Sequence, residues 1–234
     1  MTTSKSLYAR HRFPPEIISR CVWLYFRFCL SYRDVEQIMA DRGVAVSYEA
    51  VRVWCHKFGR VYAKRLKAGR GPSGDAWYLD EVVLKIAGRR QYLWRAVDQE
   101  GQVIDILVQS RRDASAARRF FRLLLKGEGT APRRLVTDQL RSYLGAARRD
   151  MGSAIHVRDK GANNRAENSH QPTRERERRR RRFKSAREAQ RFLSTFSSIS
   201  NHFRLSRHLM TASTHRTLAG RRIAEWRAIC ECNA

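Results

Sequence analysis

Residues 77–86 read W-Y-L-D-E-V-V-L-K-I, an aromatic and β-branched run with one acidic pair, Asp80-Glu81, set inside it. Such residues fit a pleated, half-buried strand. Two similar runs follow, 91–97 (Q-Y-L-W-R-A-V) and 102–109 (Q-V-I-D-I-L-V-Q), separated by Ala87-Gly88-Arg89-Arg90 and Asp98-Gln99-Glu100-Gly101. Short turn-forming gaps between strands predict an antiparallel meander. A helix is expected next, carrying Ala114, Ala117, Phe120, Phe121, Leu124 and Leu125 at helical spacing, and then a fourth strand, 134–138 (R-L-V-T-D), ending on Asp138.

Three hairpin strands, a helix and a strand closing on an acid give the element order of a ribonuclease-H-like α/β fold. In that order the first and fourth strands lie side by side, so Asp80 and Asp138 are expected to converge although 58 positions separate them. A third acid, Glu167, follows the break Gly161-Ala162-Asn163-Asn164. If one helix runs on from there, with Pro172 early enough for a first turn or a kink, Glu167, Gln171, Arg174, Arg178 and Arg181 share a face. Glu81 is expected on the face opposite Asp80, and Glu175 and Glu177 are spaced for ordinary helix ion pairs with Arg179 and Arg181.

Carboxylate oxygens are the ligands that hard Mg²⁺ prefers, and a pair of such ions can activate an attacking oxygen and stabilise a leaving one. In this reading two Mg²⁺ ions, with Mn²⁺ as a substitute, are bridged by Asp80 and flanked by Asp138 and Glu167. Water is the first nucleophile and a freed DNA 3′-hydroxyl the second. A recombinase using Ser142 or Tyr143 as nucleophile is the weaker alternative, since no arginine–histidine constellation accompanies them.

Charge supports a polyanionic substrate. The 234 residues carry 48 Lys and Arg against 22 Asp and Glu, a formal net charge of +26, the electrostatic footprint of nucleic-acid binding. The most apolar stretch, 21–30, is interrupted by Arg27 and is too short to span a bilayer. No secretory leader is read at the N-terminus, so a cytoplasmic protein without a membrane partner is expected. Five cysteines with no C-x-x-C pair are read as free thiols, not as a zinc site or a disulfide framework. The run 174–182 holds seven arginines in nine positions. Phe192, Phe196, Ile199 and Phe203 follow it at helical spacing, so it is read as a folded phosphate-contacting segment.

Upstream, Pro14-Pro15-Glu16 marks a helix start, and Ser31 with Asp34 a capping signal for a second helix carrying Val35, Ile38 and Met39. After Asp41-Arg42-Gly43, Ser47 caps a third helix with Ala50, Val51, Trp54 and Phe58 inward and Tyr48, Arg52, His56 and Lys57 outward. Two helices about a glycine-bearing turn, with a basic outer face on the second, predict a helix-turn-helix in which Ser47, Tyr48, Arg52, His56 and Lys57 approach DNA. The expected organisation is a helical DNA-binding domain at 1–68, a glycine-rich linker at 69–76 and a catalytic domain at 77–234 with C-terminal helices, the last of them burying Leu218, Ile223 and Trp226.

The segments W-Y-L-D-E, R-A-V-D-Q-E-G, L-V-T-D-Q-L-R-S-Y and N-N-R-A-E-N-S-H-Q-P-T-R-E-R-E-R, closing on R-R-F-K-S, resemble bacterial insertion-sequence transposases of the DDE class, in particular the family called insertion sequence six. The resemblance covers nearly the whole chain. It implies that Asp80, Asp138 and Glu167 are the metal-binding triad and that Arg174 contacts DNA near the cleaved bond. It further implies Mg²⁺-dependent cleavage and transfer at terminal inverted repeats of double-stranded DNA, often giving cointegrates, by a homo-oligomer of at least two protomers in the bacterial nucleoid. The chain departs from the family at Val82-Val83, Gln139 and Arg180 and in the interval between Asp138 and Glu167. These departures frame a second reading, a DNA-binding regulator with an inactive core.

Overall fold

The computed structural model describes residues 6–159, 161, 163–180, 183–205 and 210–231. In chain order the elements are α1 (Pro15–Arg27), α2 (Tyr32–Asp41), α3 (Tyr48–Ala68), β1 (Ala76–Ile86), β2 (Arg89–Val97), β3 (Val103–Gln109) and α4 (Ala114–Glu128). They continue with β4 (Arg134–Thr137), α5 (Arg141–Asp150), β5 (Ile155–Arg158), α6 (Asn164–Asn168), α7 (Gln171–Arg179), α8 (Ala186–His202) and α9 (Ala212–Glu231). The chain forms two compact units, one of residues 1–70 with 198–234 and one of residues 71–197. Among the described residues no helix is long and apolar enough to cross a membrane.

In the first unit the helix starts follow local signals in the sequence. Pro15 opens α1, Ser31 and Asp34 form a reciprocal capping box on α2, and the Ser47 hydroxyl accepts from the Ala50 amide on α3. Gly43 turns between α2 and α3 at φ +74°, a conformation glycine adopts without steric cost. Val51, Trp54 and Phe58 are buried as the spacing predicts, and α3 runs on to bury Tyr62 and Leu66 as well. The final helix belongs to this unit. Trp226 packs edge-on against Tyr62, and the Arg65 guanidinium donates to the Ile229 carbonyl at 2.7 Å. Of its three predicted inward residues only Trp226 is buried; Leu218 and Ile223 are half-exposed.

The second unit is built on a five-stranded sheet of order β3-β2-β1-β4-β5. β1, β2 and β3 are antiparallel neighbours, while β4 and β5 run parallel to β1. The β1–β2 turn needs positive φ at both Ala87 (+48°) and Gly88 (+78°), the geometry that matches strand twist in a two-residue hairpin. Trp77, Leu79, Trp94, Phe120, Phe121, Leu135 and Tyr143 bury together where α4 and α5 cover one face. On the outer edge, Gln190 of α8 accepts from the Val108 amide and donates to the Ile106 carbonyl, covering part of the exposed ladder of β3. This mixed sheet is the ribonuclease-H-like α/β architecture expected from the element order. The elements not anticipated are α5 and β5.

Candidate active site

Parallel pairing of β1 with β4 matches Ala76 to Arg134 and runs to Leu79 opposite Thr137. Asp80 and Asp138 are the next residues on the two chains, and adjacent strands lie about 4.8 Å apart. The sheet therefore brings these two acids to one level. Strand alternation turns Leu79 into the α4–α5 core and Asp80 to the opposite face.

Asp138 sits just past β4 in a tight local turn. Its Oδ1 accepts from the Leu140 amide at 2.9 Å, and its Oδ2 lies 3.6 Å from the Arg112 guanidinium. Arg112 also holds Glu81, donating from Nε at 2.5 Å and pairing through a second nitrogen. The Glu81 carboxylate is 1% exposed and accepts a further hydrogen bond from the Tyr143 hydroxyl at 2.5 Å. Burial pushes the Glu81 pKa up, against the opposing pull of Tyr143 and Arg112. Burial and the Glu81 charge likewise push Tyr143 well above its ordinary value. A phenol buried this deeply and committed to Glu81 is not a nucleophile for DNA, which removes the Tyr143 alternative.

On the other face, Asp80 meets the turn between α6 and α7. His170, 2% exposed, places Nε2 3.2 Å from Asp80 Oδ2, close in distance but not aligned as a hydrogen bond. Desolvation lowers the His170 pKa, opposed by Asp80. Arg95 lies opposite Asp80 in the β1–β2 ladder; though buried, it donates to the Ser169 carbonyl at 2.5 Å and to the Thr173 hydroxyl. Asn163 donates its side-chain amide to the Leu79 carbonyl at 2.8 Å. These three contacts fasten the α6–α7 segment to the sheet beside Asp80.

Glu167 lies on α6, which packs against β1 and β2; its side chain is outside the described residues. Among the described residues no group of three or more His, Cys, Asp or Glu side chains is near enough to hold an ion. The donors of Asp80 and Asp138 at this edge are carboxylate oxygens, which fit a hard divalent cation.

The single helix expected from Glu167 to Arg181 is instead two short helices, because Ser169 and His170 form a turn. Arg174 and Arg178 are exposed on α7, and Arg181 lies outside the described residues. Arg176 is buried with its guanidinium over Phe192, and Arg180 stacks on the same ring at 4.3 Å while pairing with Glu188 at 2.7 Å. Part of the arginine run is therefore core. In the first unit, Tyr48, Arg52, His56 and Lys57 lie exposed on α3, with Arg52 paired to Glu49. Sequence reading passed over Arg95, Asn163, His170 and Arg112. A lone arginine inside the buried run Y-L-W-R-A-V, on the strand next to Asp80, was the available signal for the first.

Residues 74–206 match the protein family described as a DDE domain. The transposase for insertion sequence-like element IS431mec of Staphylococcus aureus (strain Mu50 / ATCC 700699) is 35% identical over 133 residues, covering 56% of this chain and 59% of that protein. The transposase for insertion sequence element IS257 in transposon Tn4003, also from Staphylococcus aureus, is 35% identical over the same shares. The chain thus spans about six-tenths of the length of these curated relatives. Among solved structures, a chain of the simian T-cell lymphotropic virus intasome in complex with PP2A regulatory subunit B56 gamma is similar at 18% identity and a TM-score of 0.35, over 45% of this chain and 39% of that one.

Proposed function

Since this chain belongs to the DDE-domain family of insertion-sequence transposases, we propose that it cleaves and joins DNA strands at terminal inverted repeats, with Asp80, Asp138 and Glu167 holding two Mg²⁺ ions. The observation carrying this reading is the β1–β4 register, which sets Asp80 and Asp138 at one level of the sheet beside the helix that bears Glu167. Bound at these oxygens, divalent ions supply the Lewis acid that activates an attacking oxygen and steadies the leaving one. The chain's own groups do the rest. The Leu140 amide orients Asp138, His170 packs beside Asp80, Arg174 and Arg178 hold phosphates, and no protein nucleophile takes part.

We assign repeat recognition to the helix-turn-helix within residues 1–68, with Ser47, Tyr48, Arg52, His56 and Lys57 toward DNA and 69–76 as linker. Catalysis falls to the sheet-bearing part of 77–234. A homo-oligomer of at least two protomers would hold two element ends and a target, giving cointegrates in the nucleoid of a bacterial cytoplasm. Strand transfer of repeat-ended DNA with Mg²⁺ or Mn²⁺ tests the assignment. Asp80→Asn and Glu167→Gln should abolish joining while repeat binding persists; unchanged joining refutes the site. Wild-type protein that binds repeats and never joins strands with either ion would instead support the regulator.

A further inference from the structure

A cation stands beside Asp138: the Arg112 guanidinium lies 3.6 Å from its Oδ2. Arg112 follows β3 and reaches across the sheet end to Glu81 and Asp138. Glu81 has no other charged partner among the described residues, and its remaining oxygen is taken by Tyr143, itself locked in the α4–α5 core. The guanidinium is 41% exposed, whereas the carboxylate gripping it is buried. Glu81 and Tyr143 thus hold Arg112 in place, and the same guanidinium nitrogen that pairs with Glu81 lies 3.6 Å from Oδ2 of Asp138, the oxygen that Leu140 does not use.

We propose that Arg112, positioned by Glu81 and Tyr143, is the resident counter-cation of Asp138: it neutralises this carboxylate before a divalent ion arrives and competes with the ion for Oδ2. The inference rests on reading Asp138 as a metal ligand. A guanidinium and a divalent ion drawn to one carboxylate oxygen repel each other, so ion binding is opposed while the Arg112 nitrogen stays beside Oδ2. Arg112 is a positioning residue, and its effect is on cation affinity.

The test is Mn²⁺ binding to the full chain without DNA, followed by electron paramagnetic resonance of the free ion. Arg112→Met should tighten binding roughly two- to fivefold, the range for a partly exposed ion pair. The double variant E81Q/R112M, which leaves no unpaired buried charge, should show the same gain and serves if Arg112→Met alone does not fold. Unchanged or weaker Mn²⁺ binding in a folded variant overturns the competition. Asp138→Asn separates the two ideas. If it leaves wild-type affinity intact, Asp138 is not a ligand and the underlying site reading fails. If it lowers affinity while both arginine variants match wild type, only the role of Arg112 is lost.

Discussion

Arg95 on β2 donates to the carbonyl of Ser169, 74 positions later, at 2.5 Å, joining the sheet to the turn that carries His170. A buried guanidinium needs hydrogen-bond acceptors, and the α6–α7 segment supplies two, the Ser169 carbonyl and the Thr173 hydroxyl. Arg95→Met leaves the Ser169 carbonyl and Thr173 hydroxyl without this donor, at a cost on the order of 2–3 kcal/mol. Urea denaturation should show that loss, and strand transfer should fall with it because the α6–α7 segment loosens. A stability within experimental error of wild type would show that the turn is held by other means.

The arginine run divides into two classes. Arg174→Ala and Arg178→Ala should each reduce the slope of log affinity against log salt by about 1 on repeat DNA, with folding stability preserved. Arg176→Ala removes a guanidinium packed over Phe192 and should destabilise the fold instead. Equal salt slopes for all three variants would contradict the division.

Ser47 has a measurable structural task besides any DNA contact. Its hydroxyl accepts from the Ala50 amide at 3.3 Å, so Ser47→Ala should cost about 1 kcal/mol of stability, read from the thermal midpoint. Ser47→Asp keeps the cap and adds a negative charge, so it should restore stability while weakening DNA affinity. Recovery of both would remove Ser47 from the interface.

His202 gives the first unit an acid-side weakness. Burial lowers its pKa below 6.5, although the Arg222 carbonyl, 2.8 Å from Nε2, opposes the shift. The unfolded chain then takes up a proton at pH values where the folded ring stays neutral. Stability is therefore full above the unfolded value, falls as pH drops below it, and levels off beneath the folded value. His202→Gln should flatten that fall below about pH 6.5 in thermal melts; an identical slope in both proteins would exclude the residue.

Much of the sheet unit was legible because its signals are local. The runs at 77–86, 91–97 and 102–109 carry strand residues between turn formers, and the apolar spacing from Ala114 to Leu125 marks α4. Asp80 and Asp138 could be matched from element order, since a parallel first and fourth strand fix their level. Short elements were not legible: β5 has four residues, and α5 begins without a side-chain cap. The surroundings of the acids were equally hidden. Arg112, His170 and Arg95 reach their partners over 26 to 90 positions, and no periodicity encodes such contacts. Arginine composition also misled, because a guanidinium can lie flat on a phenyl ring as readily as against a phosphate.

Asn163 closes the ladder with a side chain where main chain runs out: β4 ends at Thr137, and the Leu79 carbonyl is served by an amide arriving from the loop before α6. This single amide thus ties the peptide preceding Asp80 to the segment that leads into α6, on which Glu167 lies.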